Sequence, residues 1–243
     1  MNNEQCIDSL KEQLYNAEIA YSWEHKGWGG KYEYLWRWGV SILAGSIFPL
    51  FLLIVEDDAI HQPGFWLFSS FSLIMTFVSR YLFFPDKHRC YHLTSLGIHY
   101  TEQDMIPEVA FKIVRGFAWV GIAVCIIAVF LLGPLALVGA GACALMSFGM
   151  TNFQSTVNQS YVLIDEHSIV FNLTHDSVLS FGSPKRDTLD YVGTIFTATL
   201  EQKIELFSRL QSTFPEIETV EIKKLNDKYK HPIYHQEDDK VTE

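Results

Sequence analysis

Basic residues are scarce in this chain, which has 18 lysines and arginines against 28 acidic residues and a formal net charge of -10 over 243 residues. With no basic stripe to meet phosphates, nucleic acid is excluded as a partner. Cysteine is thin as well. Cys6, Cys90, Cys125 and Cys143 are widely scattered, and two of them lie in long apolar runs, so neither a disulfide framework nor a paired-cysteine zinc site is indicated. The text contains no HExxH, GxSxG, P-loop or GxGxxG. No enzyme class is indicated, no catalytic residue is nominated, and no cofactor is expected.

Apolar residues are abundant, 49% of the chain, and unevenly placed. Trp38 to Val55 carries no charge, and Phe65 to Phe84 is interrupted only by Arg80. Each fits the length of about 20 residues that a membrane-spanning helix needs. Gly116 to Met150 is too long for one span, and Gly133-Pro134 at its midpoint is the pair that ends one helix and starts another. A single Pro-kinked helix is the alternative there. The sequence thus predicts an α-helical membrane protein with four transmembrane helices in two hairpins (about 38–55, 65–84, 116–133 and 134–150), plus a small cytoplasmic α+β domain.

Lys11, Lys26, Lys31 and Arg37 precede the first run, and Lys87, Arg89 and Lys112 lie between the second and third, whereas EDDAIHQPG and the Gly133-Pro134 turn have no lysine or arginine. The positive-inside rule then predicts both termini in the cytoplasm; for a bacterial source the location is the inner membrane. Glu56, Asp57 and Asp58 would form a hydrated loop on the far side. No signal peptide is expected, because the opening residues run polar.

Trp28, Trp36, Arg37, Trp38, Arg80, Arg115 and Trp119 are the expected interface anchors, amphipathic rings and basic groups at headgroup depth. No ionisable residue falls at mid-span, which argues against proton-coupled transport, voltage sensing and intramembrane proteolysis. Ala136, Ala140 and Ala144, with Gly139, Cys143 and Ser147 along a neighbouring stripe, form a small-residue pattern expected to be a helix-packing face. Its partner is a helix of the same chain or another copy.

Outside the apolar runs, Ile7, Leu10, Leu14, Ala17 and Tyr21 at spacings of three and four predict an amphipathic helix over 4–24 in an N-terminal cytoplasmic segment, 1–37, broken by Gly27, Gly29 and Gly30. Tyr91 to Tyr100 and Tyr161 to Phe171 each alternate around a short polar turn, predicting two β-hairpins. The first lies in the connection 85–112; the second opens a cytoplasmic α+β domain over 152–225. Past Pro184-Lys-Arg186 comes a strand-like stretch, Leu189 to Thr197; Thr199-Leu-Glu-Gln202 is a capping box for a helix to about Phe214, and Glu216 to Lys223 reads as a strand. From Asn226 the text loses its apolar periodicity, so 226–243 is expected to be a mobile tail.

Tyr91-x-Leu93-Thr94-x-x-Gly97-Ile98-x-Tyr100 resembles the opening hairpin of bacterial multi-pass membrane proteins that carry a small pleckstrin-homology-like domain. That resemblance implies a scaffold or sensing module and no catalysis. His88, Cys90 and His92 alternate on the predicted strand and share a face, but with no fourth ligand nominated they read as a surface cluster, and no metal is expected.

The function expected from the sequence is a membrane protein with a cytoplasmic module for sensing, regulation or scaffolding, its partners being the bilayer and either a second copy or another membrane protein. An oligomeric channel or transport component is the alternative, and a membrane-level exclusion or defence protein against conjugation or phage is the third reading.

Overall fold

The computed structural model describes residues 3–30, 32–56, 58–133, 137–183 and 189–234. The chain divides into two units: Met1–Leu35, Lys87–Gln103 and Val157–Glu243 form one, and Trp36–Asp86 with Asp104–Thr156 the other.

The first unit contains two four-stranded sheets. Its elements are α1 (Asn3–Asn16), β1 (Tyr21–Lys26), β2 (Lys87–Thr94), β3 (Gly97–Asp104), β4 (Val157–Leu163), β5 (Ile169–Leu173), β6 (Val178–Gly182), β7 (Gly193–Phe196), α6 (Leu200–Thr213) and β8 (Glu218–Ile222). Four helices of the second unit, described below, take the labels α2 to α5. One sheet runs β1-β2-β3-β4 and the other β7-β6-β5-β8, with β8 parallel to β5 and β6 antiparallel to its neighbours.

The predicted helix over 4–24 stops at Asn16, and Tyr21–Lys26 is a strand. Aromatic residues alternate there with polar ones, so a period of two overrides the period of 3.6. Tyr21 stands opposite Leu93 and Trp23 opposite Tyr91. Trp23 stacks on Tyr91, ring centroids 5.0 Å apart, and its indole N–H donates to the Phe196 carbonyl at 3.0 Å, tying β1 to β7.

The second predicted hairpin is corrected. Tyr161 to Leu163 pairs with β3 in the first sheet, and Ile169 to Phe171 belongs to the second. The turn between them redirects the chain: the Asp165 carboxylate accepts from the His167 backbone N–H at 3.1 Å and from the Ser168 hydroxyl at 2.8 Å.

One core joins Trp23, Tyr91, Ile98 and Val162 of the first sheet to Val170, Leu179, Phe181 and Ile195 of the second and to Leu206 and Leu210 of α6. The other face of the second sheet buries Ile169, Phe171, Leu173, Val178 and Ile222. Ile233 and Tyr234 cover it from the short helix Pro232–Tyr234, so residues 226–234 of the expected mobile tail are folded; 235–243 lie outside the described residues. Two apolar residues at the right distance suffice for this closure, without any periodicity to announce it.

Helix α6 starts where the capping signal places it. The Thr199 hydroxyl accepts from the Gln202 backbone N–H at 3.1 Å, and the Gln202 side-chain oxygen accepts from the Ala198 N–H at 2.8 Å. Thr199→Ala should therefore lower stability by about 1 kcal/mol, measured as a shift in the denaturation midpoint.

The second unit contains α2 (Glu33–Val55, which begins in the first unit), α3 (Pro63–Val78, continued by a π-helical turn Ser79–Phe83), α4 (Glu108–Leu132) and α5 (Leu137–Met150). α2 and α3 approach closely, since a Cβ on Gly45 would meet the Thr76 hydroxyl at 1.9 Å and the Ser72 carbonyl at 2.9 Å. α4 and α5 meet at Gly121 and Ser147 in the same manner.

This arrangement corrects the four-span helical fold. Among the described residues three helices, Glu33–Val55, Pro63–Phe83 and Glu108–Leu131, are long and apolar enough to cross a membrane. Among the described residues α5 covers 14, fewer than a span needs. Nor is the remainder a small α+β domain confined to 152–225, because the N-terminal strand and the 85–112 connection supply three of the four strands in one sheet. Pro134 and Ala136 lie outside the described residues, as do Lys31, Asp57 and Pro184-Lys-Arg186.

Candidate functional site

Strand alternation puts Lys87, Arg89 and Glu102 on the core-facing side of the first sheet, at its end nearest the Gly27–Gly30 loop. Glu102 accepts from Lys87 at 2.5 Å and from Arg89 Nε at 2.6 Å. The Arg89 Nη1 group donates to the carbonyls of Gly27 and Trp28 at 3.3 and 3.2 Å, while its guanidinium lies 4.8 Å from the Phe196 ring centre. Gly29, at φ 94°, passes so close to Phe196 that a Cβ would lie 2.1 Å from the ring. The glycines read from the sequence as helix breakers thus let a loop wrap a buried arginine.

This loop rims a cavity of about 440 Å³ lined by His25, Glu33, His175, Asp176 and Thr197. It lies beside the start of α6. Lys203 of that helix is buried and donates to the carbonyls of Leu173 and of Asp176, the latter at 2.7 Å, holding the β5–β6 turn in place. The lining can hydrogen-bond a polar group, and among the described residues it offers no nucleophile paired to a base.

Titration follows from burial. Desolvation, with the Arg89 charge second, holds His25 below the usual histidine range. Desolvation and then the neighbouring His92 do the same for His99. Burial pushes the Glu102 carboxyl up, but its hydrogen bonds and charge contacts with Lys87 and Arg89 outweigh that and leave it lowered.

All three shifts destabilise the fold in acid. A histidine lowered in the folded state makes the unfolded chain the better proton acceptor, so stability falls as pH drops below about 6.5. A lowered carboxyl adds stability above its unfolded value, lost as pH falls through the folded value. The thermal midpoint should therefore drop between pH 7.5 and 5 and again below about pH 4.5, and His25→Gln should shrink the first step.

The opposite face of the first sheet brings together Glu24, His88 and Cys90. Glu24 stands directly across from Cys90, and His88 is two residues from Cys90 along β2. His88 Nε2 is 3.0 Å from Glu24 Oε2 and 3.8 Å from Cys90 Sγ, and all three donor atoms lie within 4.8 Å of one another. His92, read with His88 and Cys90 as one surface cluster, instead packs against His99, centroids 5.0 Å apart, and His99 against Tyr15 of α1. The sequence could not nominate Glu24, which is 64 residues from its histidine partner.

Of the expected interface anchors, Trp28 lies in the sheet-bearing unit, with the Lys87 ammonium 5.6 Å from its ring centre. Arg37 and Arg80 are buried at the ends of their helices. Arg37 pairs with Asp86 at 2.5 Å, Arg80 reaches the same carboxylate at 3.6 Å, and both donate to the Phe84 carbonyl. Trp38 packs edge-on to Phe77 and Tyr81, with the Arg80 guanidinium 5.7 Å from its ring. Trp36 and Trp119 are exposed and Arg115 is half-buried. Gly139, Ala140, Cys143 and Ala144 lie on α5, with Cys143 exposed and Ala144 half-buried. Ser147, which continues the small-residue stripe one turn beyond Cys143, lies where α5 approaches Gly121 of α4, and α2 approaches α3 at Gly45.

Residues 1–241 match the family model of the TsiV2 immunity protein. The chain is similar to Immunity protein TsiV2 of Vibrio cholerae serotype O1 (strain ATCC 39315 / El Tor Inaba N16961), 38% identical over 232 residues that cover 95% of this chain and 96% of the relative. No solved structure matches. These findings overturn the resemblance to pleckstrin-homology-like membrane proteins, which rested on ten residues. They also overturn the sensing, regulatory or scaffolding function and do not favour the channel; exclusion of conjugation or phage is only loosely related. The inner-membrane assignment rests on helix length and composition alone. Matched over residues 1–241, the chain belongs to the TsiV2 immunity protein family.

Proposed function

We propose that this chain is an immunity protein that protects the cell producing it by binding a toxic effector protein, without catalytic turnover. The observation that carries this reading is the similarity over nearly the whole of both chains to a protein named for immunity. All but the last two residues of the two units lie within the matched region, so the reading draws on both.

We infer further that the long helices hold the protein at a bilayer. Leu43, Ile47, Phe51 and Ile54 of α2, and Phe117, Val124 and Phe130 of α4, are exposed, an amount of open apolar surface that water disfavours. Partition into the membrane fraction after carbonate washing supports that placement, and release into the supernatant refutes it.

The functional reading is tested by transfer. A related strain that the producer kills, and that lacks this gene, should survive co-culture once it expresses the chain. Killing at an undiminished rate, with the chain stably expressed, overturns the reading.

A further inference from the structure

We propose that Glu24, His88 and Cys90 form a binding site for a zinc-class divalent cation, with the fourth coordination position open to solvent or to a partner's ligand. This does not depend on the immunity reading.

The donors come from two paired strands, so the backbone fixes their spacing. Tetrahedral zinc places imidazole nitrogen and carboxylate oxygen about 3.3 Å apart, and thiolate sulfur and nitrogen about 3.6 Å apart, by simple geometry from its bond lengths. The corresponding separations here are 3.0 and 3.8 Å. The remaining pair, Glu24 to Cys90, lies within 4.8 Å and needs only a rotation of the Glu24 side chain, which is 62% exposed. An exposed His–Glu pair alone would contribute little and would not require a thiol on the same nitrogen.

Charge and softness agree with the assignment. A carboxylate and a thiolate neutralise a divalent ion, and the thiol proton leaves to water on binding. A sulfur and nitrogen set selects zinc or cobalt over magnesium or calcium. Lys26 stands opposite His88 but is exposed and free to turn outward. His92 is engaged with His99, so β2 supplies two ligands and leaves the fourth position open.

The test is a titration of the purified full-length chain, stripped with chelator, with Co²⁺. A near-ultraviolet thiolate-to-cobalt charge-transfer band should appear, saturate at one equivalent and vanish on adding Zn²⁺, while Mg²⁺ has no effect. Cys90→Ser should abolish the band, and His88→Gln or Glu24→Gln should weaken Co²⁺ binding at least roughly tenfold. A variant with Cys6, Cys125 and Cys143 all replaced by serine should keep the band, which separates this site from the other thiols. A wild-type chain with no band at ten equivalents, or a band kept in Cys90→Ser, overturns the proposal.

Discussion

Gly97→Ala should cost roughly 3 to 6 kcal/mol, enough to remove most of the folded protein. Gly97 sits just after the two-residue turn between β2 and β3 at φ 148°, in the region that favours glycine. A Cβ there would lie 2.3 Å from the Val162 carbonyl oxygen and 3.0 Å from the Leu163 Cα. Both are backbone atoms of β4, so no rotamer change relieves the clash. The hairpin would have to shift from β4, to which it is paired from Gly97 to Gln103. The yield of folded protein and its denaturation midpoint measure the loss; a midpoint within that of Ala-tolerant surface sites would contradict the geometry.

Arg89→Leu should cost about 3 kcal/mol, the lower end for breaking a buried ion pair, because Lys87 continues to bond Glu102. The loss has two sources. Glu102 is left with one cation in a largely desolvated place, and the carbonyls of Gly27 and Trp28 lose the Arg89 donor. The double variant Arg89→Leu with Glu102→Leu should recover part of the stability, since no carboxylate is then left short of a cation; Lys87 loses its partner but, at 26% exposure, is the more readily hydrated of the charges, so the recovery is incomplete. Additive losses in chemical denaturation would show that the two side chains do not act as a pair.

Local signals in the sequence carried well into the fold where partners are near in the chain. Thr199 and Gln202 sit three residues apart, and their cap forms. Long-range pairing was not legible. β1 finds β2 across some sixty residues, and nothing in Tyr21 to Lys26 names its partner except alternation, which competes with the helical spacing of Leu14, Ala17 and Tyr21. The apolar run from Gly116 read as two spans, yet among the described residues the second helix covers only Leu137–Met150. At the site, His88 and Cys90 were visible as a pair on one strand, whereas Glu24 joined them only through cross-strand register. Arg89 and Glu102 were visible as charges and not as partners, because ion pairing depends on a turn length that fixes which residues face each other.

Survival in contact with kin tests the central claim most directly. Cells from which this gene has been deleted should die when mixed with the intact parent, and should survive when the parent's toxin is inactivated or the gene is restored. Deleted cells that live as well as the parent beside it, while the parent still kills unrelated competitors with that toxin, would contradict the assignment to immunity.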